Sequence, residues 1–211
     1  RKKQFQLLLK QIQKPDSAVN YRQVNFFQGK MGIAIDNKIH TVWIEPKEEN
    51  EFSFSLAMEP KLIQADFQSY WIKEINFKKS TPELLHQLLN DNDILGRQQA
   101  MTELAQKAKD TSTGIADKKS IIAALQTLIK SKQYWRIRMA AVSQLRNIQE
   151  APYDSKTRQL LLTVIKSETS WLRAAAITSL GMTKDSAYAP LYISYFNDIS
   201  DRVINAAAVA L

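Results

Sequence analysis

Hydrophobic and polar positions alternate with period two along the first part of the chain. Phe52, Phe54 and Leu56 fall on one face, and Glu51, Ser53 and Ser55 on the other. Met31, Ile33 and Ile35 alternate with Gly32, Ala34 and Asp36, and Ile39, Thr41 and Trp43 with His40, Val42 and Ile44. Phe5, Leu7 and Leu9 alternate with Gln6 and Lys10, although Leu8 blurs that run. Strands that bury one face read this way. Pro15-Asp16-Ser17, Asp36-Asn37 and Glu45 to Asn50 supply the breaks, and Asp36-Asn37 is short enough for a hairpin. Residues 1–78 are therefore expected to form a small antiparallel, Ig-like β-sandwich of five to seven strands. That is a short chain for a whole sandwich, so the expectation includes an incomplete one.

From Thr81 the period becomes that of a helix. Thr81 is expected to cap the first helix, with Pro82 where its missing N–H costs nothing. Ile121, Ile122, Leu125, Leu128 and Ile129 form one apolar stripe, and Leu160, Leu161, Val164 and Ile165 another. Asp117, Asp154, Ser170 and Ser200 read as N-caps, and Gly181 as a C-terminal stop. The expectation over residues 79–211 is an all-α domain of about eight helices.

This half repeats itself. Arg97, Ala100 and Leu104 have the spacing R-x-x-A-x-x-x-L, as do Arg138, Ala141 and Leu145, and Arg173, Ala176 and Leu180. A fourth copy, Ile204 with Ala207 and Leu211, lacks the Arg. Each follows an apolar segment: Leu84 to Leu89, Ile121 to Ile129, Leu160 to Ile165 and Leu191 to Phe196. The offsets of three and four put Arg, Ala and Leu on one helix face. A small Ala admits the partner helix, Leu fills the groove beside it, and each pair stacks on the next. The spacing resembles the HEAT repeat and implies a HEAT-like superhelix. Asp93 and Asp201 match the Asp such repeats often carry, whereas the middle copies lack it. The repeated Arg is expected to bond to carbonyls or a neighbouring Asp; the alternative is a row of anion-binding groups. Trp135 and Trp171 are expected to pack where repeats meet; the alternative is a recognition role.

Composition narrows the function. The chain has 211 residues, 45% hydrophobic and 24% charged, the make-up of a globular protein with a real core. It opens on Arg1, and the run Arg202 to Leu211 stops inside a helical pattern, so it reads as a piece of a longer protein with a truncated helical domain. The net charge of +8 is spread, with 12 basic and 9 acidic groups in residues 1–78 and 17 and 12 in residues 79–211. Clusters such as Arg1-Lys2-Lys3 and Lys118-Lys119 are short, which argues against nucleic-acid binding. No apolar run approaches the ~20 residues of a membrane span.

Candidate chemistry is sparse. Without cysteine there is neither a disulfide nor a thiolate metal site. The two histidines, His40 and His86, fit no H-E-x-x-H pattern and read as packing or surface residues. The five glycines form no phosphate loop, and no G-x-S-x-G is present. Asp91 and Asp93 sit where a helix cap is expected, and Glu48 and Glu49 in a loop. No catalytic, metal or cofactor-binding residue is assigned.

One order of residues is more specific. Glu51-Phe52-Ser53-Phe54-Ser55-Leu56 is followed by Pro60, Asp66, Trp71-Ile72-Lys73-Glu74-Ile75 and Phe77-Lys78-Lys79. It continues through Leu84-Leu85, Gln87-Leu88, Asn90-Asp91, Asp93, Arg97, Ala100 and Leu104. Upstream, Lys10-Gln11-Ile12-Gln13 resembles the Q-x-Q strand that opens a sandwich of the same kind. The whole resembles the junction of the β-sandwich and helical tail in zinc aminopeptidases of the aminopeptidase N family, above all bacterial members with HEAT-like tails. The likeness is strongest over residues 51–104. It implies a non-catalytic C-terminal portion that shapes or gates the access of peptides to a zinc-bearing catalytic domain outside this chain. Such a body can also be catalytically dead, as in the large transcription-initiation subunit that shares the fold. The alternative function is a non-enzymatic HEAT-repeat scaffold that binds a protein partner.

Overall fold

The computed structural model describes residues 3–149 and 153–211. Arg1 and Lys2 of the first basic cluster lie outside them. The chain divides into two compact units: Arg1–Lys78 with Asp91–Gly96, and Lys79–Asn90 with Arg97–Leu211.

Among the described residues the first unit holds five strands in two sheets. β1 (Lys3–Lys10) pairs antiparallel with β4 (Glu49–Leu56). β2 (Gly29–Ile35) lies between β3 (Lys38–Ile44) and β5 (Ile63–Ala65), antiparallel to both. Alternation decides which side chains face inward. Met31, Ile33, Ile35, Ile44, Phe54 and Ile63 form the core, with Phe5, Leu7, Leu9, Val42 and Phe52 packed against it. Asp36 and Asn37 take φ of 47° and 65°, the left-handed pair a two-residue hairpin needs and Asp and Asn tolerate. Gln11 and Gln13 fall just past β1, where they fix the following loop. The Gln11 side chain donates to Phe27 O at 2.9 Å and accepts from Phe27 N at 2.8 Å, while Gln13 donates to Asn25 O at 2.8 Å.

Among its described residues the second unit is built from eight α-helices: α1 (Thr81–Asn90), α2 (Ile94–Lys109), α3 (Ile115–Lys130), α4 (Trp135–Ile148), α5 (Ser155–Val164), α6 (Ser170–Gly181), α7 (Ala189–Ser194) and α8 (Asp201–Ala210). The first turn of α2 clusters with the strand unit. The packing makes two layers: α1, α3 and α5 lie side by side in one, and α4, α6 and α8 in the other. α3 pairs with α4, α5 with α6, and α7 with α8 across them. One continuous core from Leu84 to Ala207 fills the space between. That is the stacking expected of helix pairs that cannot bury their stripes singly.

Several terminal signals differ from the sequence reading. Ser80, not Thr81, caps α1: the Ser80 amide donates to the Glu83 carboxylate at 2.8 Å, and the Glu83 amide donates to Ser80 Oγ at 3.4 Å. This reciprocal box moves Pro82 one position inward. The Thr81 hydroxyl instead reaches Asp117 Oδ2 at 3.2 Å. Asp117 lies inside the first turn of α3, whose N-cap is Gly114, and Ser170 begins α6 after Thr169. Asp154 does cap α5, accepting from the Thr157 amide, and Ser200 is the N-cap position of α8, though without a side-chain bond. Gly181 is not a left-handed stop; it is the last residue of α6, and Met182 follows with φ −65°. A Cβ at Gly181 would lie 2.6 Å from Ala210 Cβ, so its smallness serves close approach to α8.

Candidate functional site

The repeated residues sit at matching places. Ala100, Ala141, Ala176 and Ala207 are all fully buried, as are Leu104, Leu145 and Leu180. Leu211, the C-cap of α8, is 60% exposed. Arg138 donates from Nε to Ile129 O at 2.9 Å, closing a carbonyl that the end of α3 leaves open. Arg173 donates from Nη1 to Ser167 O and Glu168 O, both at 2.9 Å, and holds Asp198 with its other nitrogens. Arg97 is half-buried at the start of its copy. Arg138 and Arg173 spend their donors inside the array.

Groups with possible chemistry are likewise engaged in the fold. His40 packs edge-on against Phe54, and His86 lies beside Asn90 on α1. Asp91 is buried and accepts from Gln64 Nε2 at 2.7 Å and from the Asp93 amide at 2.8 Å, while Asp93 accepts from the Leu95 amide. Among the described residues no three His, Cys, Asp or Glu side chains gather closely enough for a metal. These residues do not fit a zinc site. Among the described residues no helix is long and apolar enough to cross a membrane.

What the array does build is a groove of about 300 Å³ across α4, α6 and α8. Each helix presents the same face to it. Trp171, Ala174 and Thr178 on α6 stand where Arg202, Asn205 and Val209 stand one repeat later on α8, and Met139 and Ser143 stand one repeat earlier on α4. The face lies next to the one that buries Ala and Leu of the repeat. Trp135 and Trp171 stack with ring centroids 5.6 Å apart and planes 24° from parallel. Arg136 lies 5.3 Å from the Trp135 ring centre, and Arg202 lies 3.2 Å from that of Trp171. The two indoles therefore do pack where repeats meet, yet Trp171 stays 39% exposed at the groove.

No protein-family model matches the chain, and no curated protein matches it in sequence. Solved structures do. Aminopeptidase A of Legionella pneumophila, solved with aspartic acid, superposes with a TM-score of 0.62 over 98% of this chain at 14% identity. The chain has the fold of that part of an aminopeptidase. It spans 29% of the length of the Legionella protein. An engineered protein superposes at TM-score 0.46 and 18% identity over 63% of this chain and 61% of its own. A designed armadillo repeat protein in complex with the peptide (KR)4 does so at 0.40 and 19%, over 63% of each.

Arg146 and Arg202 were not singled out by sequence. They lie far apart in the chain, and only stacking brings them to one groove. Register could have found Arg202: it stands two residues before Ile204, as Trp171 stands two before Arg173. Arg146 follows Leu145 of the motif directly and carries no such mark.

Proposed function

We propose that this chain is a non-catalytic C-terminal portion of a zinc-dependent aminopeptidase, and that its helical array shapes the access of peptides to a catalytic domain encoded elsewhere in the same protein. The observation that carries the reading is the Legionella aminopeptidase fold, which extends over both the sandwich and the helices rather than over the repeats alone. The residue order over 51–104 supports it independently. In this reading zinc, its ligands and the general base belong to residues outside this chain.

The rival is a non-enzymatic repeat scaffold that binds a protein partner, since stacked helix pairs offer long surfaces. Two measurements separate them. The gene upstream of Arg1 carries H-E-x-x-H and a later Glu in the peptidase reading, and lacks them in the scaffold reading. The longer protein hydrolyses aminoacyl-anilides with zinc, while these 211 residues alone do not. Turnover by the chain alone that survives a chelator control and scales with its concentration would overturn the assignment.

A further inference from the structure

We propose that the groove across α4, α6 and α8 is a binding site for an acidic peptide segment, one with two side-chain carboxylates several residues apart. The array holds two kinds of arginine. Arg138 and Arg173 are consumed by carbonyls and by Asp198. Arg146 and Arg202 line the groove, and neither forms a salt bridge or hydrogen bond with any described residue. No Asp or Glu is among the groove's lining residues. Two guanidiniums without a carboxylate partner among the described residues, beside one depression, make it complementary to anions.

Arg202 is also held ready. Its guanidinium lies over the Trp171 ring at 3.2 Å, and Trp171 is backed by Trp135. Stacking fixes the plane of the guanidinium and leaves its N–H donors for a carboxylate. Less freedom is then lost when a ligand binds. The groove wall is apolar at Met139, Ala175 and Val209. Asn205 adds a donor and an acceptor for a peptide backbone.

The layout sets the occupant. Arg146 is on α4 and Arg202 on α8, with α6 between them, so two separated carboxylates are needed. A single chain terminus supplies one. A nucleic-acid surface would present a stripe of phosphate contacts with several bases stacked. This groove has one exposed indole and no lysine in its lining.

The test is direct binding to the 211-residue chain, so it succeeds or fails independently of whether the longer protein is a peptidase. Fluorescence anisotropy compares labelled peptides: an amidated one with two Asp about six residues apart, its amidated Asn counterpart, and a neutral peptide with a free carboxyl terminus. A single-stranded oligothymidylate is the fourth probe. The acidic peptide is expected to bind saturably, and the other three about tenfold or more weakly. Arg202→Gln and Arg146→Gln are each expected to weaken it severalfold, while circular dichroism reports an unchanged fold; Arg202→Lys, which keeps charge but loses the planar stack, falls between. No saturable binding, equal binding of the Asn peptide or the free-terminus peptide, tighter binding of the oligonucleotide, or indifference to both Gln variants would each overturn the proposal.

Discussion

Arg173 on α6 grips Asp198 with two parallel contacts, Nε to Oδ2 at 2.9 Å and Nη2 to Oδ1 at 2.7 Å, and both side chains are nearly buried. The same guanidinium reaches back to the carbonyls of Ser167 and Glu168. One repeat arginine thus ties the loop before its helix to the segment before the next. The Tyr195 hydroxyl adds a bond to Ile165 O at 2.8 Å across the same interface.

Removing one partner leaves the other charge buried and unpaired. Asp198→Asn is expected to cost on the order of 3 kcal/mol, measured by urea unfolding with an unchanged m-value. A change near zero would mean the pair does not lock the repeats.

The same groups set an acid limit. Hydrogen bonds from Arg173 hold the Asp198 carboxyl below the ordinary aspartate range. At Asp154 burial pushes the other way, but bonds from the Thr157 amide, Gln149 and the Thr157 hydroxyl outweigh it and the carboxyl is also lowered. A carboxyl depressed in the folded state contributes stability that is fully present above its unfolded pKa of about 3.9 and lost as pH falls through the lower folded value. Stability from these two groups is therefore expected to hold from neutral pH down to about 4 and to decline below it. Asp198→Asn should flatten that decline; an identical acid slope in the variant would contradict the assignment.

The repeat was legible in sequence because its alanines and leucines recur on one helix face. Ala34 to Ile39 was legible for another reason: Asp36-Asn37 is a local turn signal. The partition into sheets was not legible. β1 pairs with β4 although β2 and β3 lie between them in the chain, and alternation says which face is buried but not which strand lies beside it. Gly181 was misread because a stop glycine and a close-approach glycine look alike until the neighbouring helix is known. The groove was hidden for the same reason, since its cations come from separate repeats.

Gly181→Ala would drive a methyl group to within 2.9 Å of the α8 backbone at Ala210. An expected loss of about 1–3 kcal/mol follows from overpacking, against the usual gain for Ala over Gly within a helix. Thermal unfolding decides it: a raised Tm would show that α8 yields at no cost.

Ala141 is fully buried where α4 meets its neighbours, within the continuous core. Ala141→Leu adds three carbons to a filled site and is expected to cost about 1–3 kcal/mol. Denaturant unfolding with no shift in midpoint would make the repeated Ala incidental to packing.

We propose that the helical half of this chain meets the peptides cleaved by the aminopeptidase of which it would form part. Photo-crosslinking tests it most directly, with hydrolysis-resistant peptide analogues of increasing length carrying a benzophenone side chain, added to the zinc-loaded longer protein and mapped by mass spectrometry. The account predicts that long analogues label residues within 79–211, that dipeptide analogues do not, and that an unlabelled long peptide competes the labelling away. Labelling confined to residues outside this chain at every length, in a protein that cleaves the parent peptides, would contradict it.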